Sequence, residues 1–414
     1  MSFLKNAATL SVGNAAAQAI NFIGIALLAR LYTPSQFGAF AIVLGIATVG
    51  GVAAPCRYDM TILLPRSDRV ANLALWTALS LATAISVALS LVILGTWLVT
   101  GKAWAGFWWE IGAITLGMAA LQTYAFKRNR EKRYKHTVLV QLVRALAIVG
   151  VSAALYRFEH GLVYGFLAGT AIAVAATLVI EYQVEGRLFR AFPLHRIGFW
   201  MRRHDKFLKF SLPAVLTSSF STQLPVFLIA TWFGVQAAGY YSFVYRTLMA
   251  PIVLASGSIN TVFIQKVTRM LAERKPVGKL VGRLTSKLAL GSLAASAVMA
   301  GFCLLGGYGR LFGQEWAPLD TLALYLMPVL LVGFVSRCLP GFAVIGSNEL
   351  GLVYQVALVI ATFLSIWIAH LFFDTLEPMF LIYSLAASAM FLAQIVSINT
   401  IARRMDAKLE ARQK

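Results

Sequence analysis

Between Ala71 and Val99 the chain reads ANLALWTALSLATAISVALSLVILGTWLV, a stretch without one charged side chain. At about 1.5 Å of rise per residue, a helix over this stretch crosses a hydrocarbon core of roughly 30 Å with length to spare. Comparable runs fall at 7–29, 37–56, 105–126, 137–156 and 161–181 in the first part of the chain. They recur at 208–232, 238–264, 285–306, 319–342, 350–372 and 379–401 in the second. The expectation is an all-α integral membrane protein of about twelve transmembrane helices. Composition agrees: 59% of the 414 residues are hydrophobic and 13% charged, with a mean hydropathy of +0.76. A soluble domain carries about a quarter charged residues, so this chain has too few polar side chains to cover a water-facing surface.

The charges are sorted. With the N-terminus inside the cell, the inner segments collect 30 of the 36 Lys and Arg residues, the bias that orients multi-span proteins. The outer loops keep Arg30, Lys102, Arg157 and Arg310, while Arg144 and Arg246 fall within spans. Both termini are therefore expected in the cytoplasm. The formal net charge of +20 is read as positive-inside retention, with no nucleic acid partner. Membrane lipids are the expected neighbours, and the run Lys127-Arg-Asn-Arg-Glu-Lys-Arg-Tyr-Lys135 is the strongest candidate to hold anionic headgroups.

At the midpoint, 182–207 alternates Leu188, Phe189, Phe192, Ile197, Phe199 and Trp200 with Arg187, Arg190, Arg196, Arg202 and Arg203. That pattern suits a helix lying in the inner interface with its apolar face in lipid. The expected organisation is an N-terminal six-helix bundle over 1–181, an interfacial amphipathic cytoplasmic linker over 182–207, and a C-terminal six-helix bundle with a basic cytoplasmic tail over 208–414. The halves look related. Leu28-Ala-Arg-Leu-Tyr-Thr-Pro-Ser-Gln-Phe-Gly-Ala-Phe40 aligns with Ile229-Ala-Thr-Trp-Phe-Gly-Val-Gln-Ala-Ala-Gly-Tyr-Tyr241, matching Tyr32 to Phe233 and Phe40 to Tyr241. Six spans per half is an even number, so the two bundles form a parallel pseudo-repeat. Pro225, Pro251, Pro328 and Pro340 inside spans are read as hinges or as packing features.

Catalytic patterns are missing. There is no Walker A, HExxH or nucleophile elbow, and Cys56, Cys303 and Cys338 have no metal-ligand spacing. No cofactor, metal or enzymatic activity is expected. What stands out is a set of cations in or near the membrane: Arg30, Arg57, Arg144, Arg246 and Arg337. Charge at bilayer depth is costly and defaults to function. Asp59 is the main carboxylate at similar depth and the candidate coupling group. An interior rich in cations and poor in acids fits an anionic substrate, and guanidinium binds phosphate oxygens in bidentate fashion.

Tyr32-Thr-Pro-Ser-Gln-Phe-Gly38, Arg57-Tyr-Asp-Met-Thr-Ile-Leu-Leu-Pro65, Asn129-Arg-Glu-Lys-Arg-Tyr134 and Leu311-Phe-Gly-Gln-Glu-Trp-Ala-Pro318 resemble, in that order, the Wzx-type polysaccharide-repeat, or O-antigen, flippases. Their superfamily also holds multidrug extruders and the lipid II flippase. The resemblance implies a V-shaped pair of bundles around a cationic cavity in a bacterial cytoplasmic (inner) membrane. It implies alternating-access movement of undecaprenyl-pyrophosphate-linked oligosaccharide to the outer leaflet, in the service of lipopolysaccharide or exopolysaccharide assembly, with other polysaccharide-assembly proteins as further partners. The lipid II relative carries functional arginines on its first, second and eighth spans, which Arg30, Arg57 and Arg246 occupy here. Gln36 departs from the family, which commonly has an acid there. The competing readings are a drug/cation antiporter, which needs carboxylates that the first span lacks, and a membrane-embedded polymerase or ligase, which needs a large outer loop.

Overall fold

The computed structural model describes residues 2–185, 194–273, 275–339, 341–342 and 348–413, and every regular element among them is helical. In chain order the α-helices are α1 (Ser2–Ala29), α2 (Pro34–Ala53), α3 (Asp68–Thr100), α4 (Trp108–Arg130), α5 (Tyr134–Ala154), α6 (Gly161–Glu185) and α7 (Leu194–Arg203). They continue as α8 (Leu212–Trp232), α9 (Val235–Ala272), α10 (Gly278–Leu304), α11 (Gly307–Phe312), α12 (Pro318–Cys338), α13 (Asn348–Phe372) and α14 (Leu376–Gln413). Ten helical segments among the described residues are long and apolar enough to cross a membrane, and they match ten of the twelve expected spans. The other two expected segments are helical as well, in α4 and α9, but do not join the ten. The chain divides into two compact units, Met1–Phe227 and Leu228–Lys414. The expected boundary at 208 therefore falls inside the first unit, and the division comes within α8.

In the first unit α1 packs on α5, α2 on α4, α3 on α4, and α6 on both α4 and α5. In the second, α9 packs on α12, α10 on α12, and α14 on both α12 and α13. Trp232 at the end of α8 stacks on His370 of α13, with ring centroids 5.6 Å apart. Counted from the start of each half, the same partners meet. The aligned sequence positions obey this order too. Tyr32 donates a 2.7 Å hydrogen bond to the Ser152 carbonyl on α5, and Phe233 packs edge-on to His370 on α13. Phe40 meets Phe166 on α6 at 5.7 Å, and Tyr241 meets Tyr383 on α14 at the same distance.

Local chemistry sets the element boundaries in the first unit. Thr33 caps α2: its hydroxyl accepts from the Gln36 amide, while Gln36 Oε1 accepts from the Thr33 amide at 2.9 Å, with Pro34 in the first turn. This is a capping box, so Gln36 fills the structural role an acid could fill there. Gly165 and Gly169, four apart on α6, let that helix lie directly on α5. A Cβ at Gly165 would come within 2.7 Å of the Ser152 backbone, and one at Gly169 within 2.7 Å of the Ile148 amide. Backbone approach of this kind drives helix association where water supplies no hydrophobic force.

The basic run 127–135 differs from expectation. Lys127 and Arg128 are buried, and both turn to Glu181 on α6, Lys127 Nζ at 2.6 Å from Oε2 and Arg128 Nε at 3.2 Å from Oε1. Arg130 donates to the carbonyls of Ile62, Pro65 and Arg66 and to Asp68 Oδ1 at 3.0 Å. Three of its cations thus tie helices and the α2–α3 connection together rather than face headgroups. The helical ladder leaves their side chains the only groups able to reach across, and burial makes the ion pairs strong.

Carboxylates also pin the second unit. Asp320 accepts from the amides of Tyr308 and Gly309 at 2.8 and 3.1 Å, and Asp406 from those of Val277 and Gly278 at 2.7 and 2.8 Å. Each satisfies amides that open a helix, α11 and α10 respectively. Gly313, at φ 112°, turns the chain so that Trp316 packs 4.3 Å from Phe243. Pro328 sits inside α12, where the Val329 amide donates to Ser384 of α14 at 3.1 Å and Ser292 of α10 donates to the Leu331 carbonyl at 2.8 Å. Neighbouring side chains thereby bind backbone groups around the proline. Pro340 lies outside the described residues.

Within the expected linker, 182–185 end α6, 186–193 lie outside the described residues, and 194–203 form α7. Phe199 of α7 is exposed, as an interfacial helix requires, but Trp200 is 5% exposed and packs into the first unit beside Tyr58, Ile62 and Leu75. Its ring fills a slot in protein rather than in lipid.

Removing Glu181 should take from two buried cations the carboxylate they share, with Glu131 at 4.0 Å left to Lys127. Glu181→Leu is expected to cost about 3–5 kcal/mol, read as a lower melting temperature of the detergent-solubilised protein. The triple change Lys127→Met, Arg128→Leu, Glu181→Leu should recover most of that loss in the same measurement.

Candidate functional site

The connection from α2 to α3 is the most constrained segment near the expected cations. Cys56 and Arg57 both adopt left-handed backbone conformations, with φ 49° and 63°. Non-glycine residues held there cost of order 1–3 kcal/mol each and persist only when their surroundings over-determine them. The surroundings here are a short 3-10 helix, Tyr58–Leu63, in which Tyr58, Asp59, Thr61 and Ile62 are all buried. The turn projects Arg57, half-buried, with its Nη2 against the Met60 sulfur and its Nε buried without a hydrogen bond.

Asp59 is fully buried two residues on. Gln122 of α4 donates to its Oδ2, and the Met60 amide to its Oδ1 at 3.0 Å. The residue lies on the connection, outside the candidate spans, and burial pushes its carboxyl up against the opposing pull of Gln122 and Arg57. A carboxyl so placed can take up a proton more readily than one in water.

Arg144, well inside α5, lies 5.2 Å from the Phe166 ring centroid on α6, a cation–π contact. Its Nε is buried without a hydrogen bond, and no carboxylate pairs with it among the described residues. Arg30 is exposed in the turn after α1. Arg30 and Arg57 flank opposite ends of α2, a helix of 20 residues and hence about 30 Å long. The structure therefore does not gather these arginines into one cluster; it spaces Arg30, Arg144 and Arg57 along the first unit.

The second unit holds the other two candidates. Arg337, exposed near the end of α12, donates a 2.9 Å hydrogen bond to the hydroxyl of Tyr245 on α9, and Arg246 is the next residue of that helix, half-buried. Tyr245 stacks on Tyr241 at 5.8 Å, and the Tyr241 hydroxyl pairs with that of Tyr383 at 3.0 Å. The Arg337 guanidinium thus adjoins a tyrosine cluster, which can combine a charged donor with aromatic faces.

Gln122, Glu181 and Tyr245 are not singled out by the sequence pattern, and Trp200 is placed by it in lipid rather than in protein. Gln122 and Glu181 are polar residues at the ends of apolar runs, and that polarity is the available signal. Tyr245 precedes a singled-out arginine. Trp200 carried no signal separating a docked ring from a lipid-facing one. No group of three or more His, Cys, Asp or Glu able to hold a metal occurs among the described residues.

With that geometry in hand, the chain can be set beside known proteins. No curated protein matches it in sequence. The fold is similar to that of the lipid II flippase MurJ in its inward closed conformation, with a TM-score of 0.72 at 11% identity over 97% of this chain and 90% of that one. It is also similar to an outward-facing multidrug resistance transporter of the MATE family and MOP superfamily, with a TM-score of 0.58 at 14% identity over 98% and 96% of the two chains. The Vibrio cholerae MATE transporter VcmN in its bent form gives 0.53 at 14% identity, covering 98% of each. Identities this low carry the fold alone. The family model described as polysaccharide biosynthesis protein matches residues 27–319, a range that includes the Thr33–Gln36 capping box, the strained Arg57 turn and the Trp316 loop. The chain is a polytopic membrane protein and belongs to the polysaccharide biosynthesis protein family.

Proposed function

We propose that this protein is a flippase that carries undecaprenyl-pyrophosphate-linked oligosaccharide repeat units from the inner to the outer leaflet of a bacterial cytoplasmic membrane by alternating access, with both termini in the cytoplasm. It is a transporter and not an enzyme in this reading. The observation that carries it is the pair of guanidinium groups Arg57 and Arg144, each with a buried Nε that makes no hydrogen bond. A buried donor without a partner costs about 1–3 kcal/mol, more when charged, and phosphate oxygens are the acceptors that guanidinium fits best. Family membership and a fold shared with the lipid II flippase support a lipid-linked saccharide phosphate as the cargo.

Arg30, Arg144 and Arg57 would meet the headgroup at successive depths, and Arg246 and Arg337 would serve the second unit, with Tyr245 beside them. Spacing cations along a path suits cargo that must leave as well as bind. The membrane potential can bias the direction: one charge moved through 100 mV is worth about 2.3 kcal/mol, and a headgroup with two negative charges gains about twice that. Asp59, buried and held by Gln122, is the candidate to couple a proton to the movement. The antiporter reading shares the fold and would make organic cations the cargo, which the cationic residues disfavour.

Arg246→Ala should abolish export of repeat units while the protein still reaches the membrane, read as loss of surface polysaccharide with normal abundance in the membrane fraction. In liposomes, a fluorescent polyprenyl-pyrophosphate saccharide should flip faster under an imposed potential; transport of organic cations alone would favour the antiporter. At the strained turn, Arg57→Gly should keep the left-handed backbone and the melting temperature yet lose flipping. Arg57→Val, β-branched and unsuited to that backbone, should lose flipping and also about 1–3 kcal/mol of stability.

A further inference from the structure

Helix α7 and the Arg57 turn hold each other by reciprocal bonds. Trp200 Nε1 of α7 donates to Thr61 Oγ1 at 3.1 Å, Thr61 Oγ1 donates to the Tyr58 carbonyl at 2.6 Å, and the Tyr58 hydroxyl donates to the Met201 carbonyl at 3.1 Å. The circuit runs from α7 into the 3-10 helix and back to α7. Around it close Cys56, Tyr58, Ile62, Ala74, Leu75, Ala78, Tyr124 and Trp200 as one buried apolar cluster. The indole is 5% exposed and Tyr58 fully buried, while Arg196, Phe199, Arg202 and Arg203 on the rest of α7 stay exposed. One face of a ten-residue helix is thus given over to a turn about 140 residues earlier in the chain, with sequence separations of 139 and 143 across the two bonds.

The location of this contact is what gives it consequence. The two residues just before Tyr58, Cys56 and Arg57, are two of the three non-glycine residues in left-handed conformations among the described residues. Such a turn relaxes unless packed from several sides, and α3, α4 and α7 are the elements that pack it. Of these, α7 is the nearest in sequence to α8, in which the chain passes from the first unit to the second. We propose that α7 is a clasp on the substrate-binding turn, and that Trp200 is a positioning residue that holds the Arg57 guanidinium where it meets the phosphorylated headgroup. Trp200 itself touches no cargo; it acts through the backbone of Tyr58 and Thr61. The inference rests on the reading of Arg57 as a phosphate-binding group.

The test uses the full chain in liposomes with a fluorescent polyprenyl-pyrophosphate saccharide. Trp200→Phe keeps an aromatic ring in the slot and removes the indole N–H. It should raise the half-saturating probe concentration about two- to tenfold, the worth of one hydrogen bond, with the maximal rate retained. In an Arg57→Gly background, where flipping is lost, equilibrium binding of the probe to the protein is read instead, and the same change should add nothing to the weakened binding, because Trp200 works through that guanidinium. Multiplying effects in the double variant would make Trp200 a packing residue only and overturn the proposal. A second measurement is independent of transport. With Cys303 and Cys338 replaced by serine, alkylation of Cys56 by a membrane-permeant maleimide should quicken about two- to tenfold in Trp200→Phe, and stay unchanged in Tyr383→Phe, a change in the other unit. If the wild-type protein flips no polyprenyl-pyrophosphate probe, the flippase reading falls and the alkylation rate alone judges the clasp. An unaltered rate in Trp200→Phe would then overturn it.

Discussion

A positive charge inside an apolar bundle costs several kcal/mol unless something answers it, and much of this structure follows from how each cation is answered. Lys127 and Arg128 share Glu181. Arg130 is taken up by three carbonyls and Asp68. Arg144 rests on the face of Phe166, and Arg337 on the hydroxyl of Tyr245. These are answers of different strength. A carboxylate in a shared ion pair holds its cations in place, although Arg128 keeps one buried Nη2 without a hydrogen bond, whereas a ring face leaves the buried Nε of Arg144 unfilled. The first kind ties helices together, and the second leaves room for a ligand that carries negative charge.

The same constraint explains what could be read in the sequence. Long apolar runs have one stable form in lipid, the helix, because every backbone group must be satisfied within its own segment; ten of the expected spans were legible for that reason. The pseudo-repeat was legible in Tyr32 with Phe233 and Phe40 with Tyr241, because those residues contact the fifth and sixth helices of their own halves. Depth of burial was not legible. A charged run such as 127–135 has the same composition whether it faces headgroups or a neighbouring helix, and only the position of Glu181, 54 residues beyond Lys127, decides between them. Trp200 is a similar case, since an amphipathic pattern gives the apolar face but not what that face meets.

The candidate site was legible as a list of arginines but not as an arrangement. Arg30 and Arg57 bracket one helix of 20 residues, so a single phosphate group cannot bridge them. Their value to a moving headgroup lies in being apart. Arg337 and Tyr245, by contrast, are 92 residues apart in sequence and in direct contact, a juxtaposition no local pattern encodes. The family's short motifs prove to be chiefly architectural: the Thr33–Gln36 capping box opens α2, and the Gly313–Trp316 loop seats against Phe243. Only the Arg57 motif combines such a structural duty with a strained backbone and an unfilled donor.

The sharing of Glu181 has a consequence for biosynthesis. A ribosome adding 5–20 residues per second releases Lys127 roughly 3 to 11 s before Glu181. Throughout that interval Lys127 and Arg128 at the end of α4 lack the carboxylate they share in the folded protein, and Glu131 is the acid nearest to them in the chain. α4 is also one of the two expected spans that are not among the ten most apolar segments. The packed end of α4 is therefore completed only after α6 emerges with its carboxylate, so the helix that emerges fourth is not the fourth to settle.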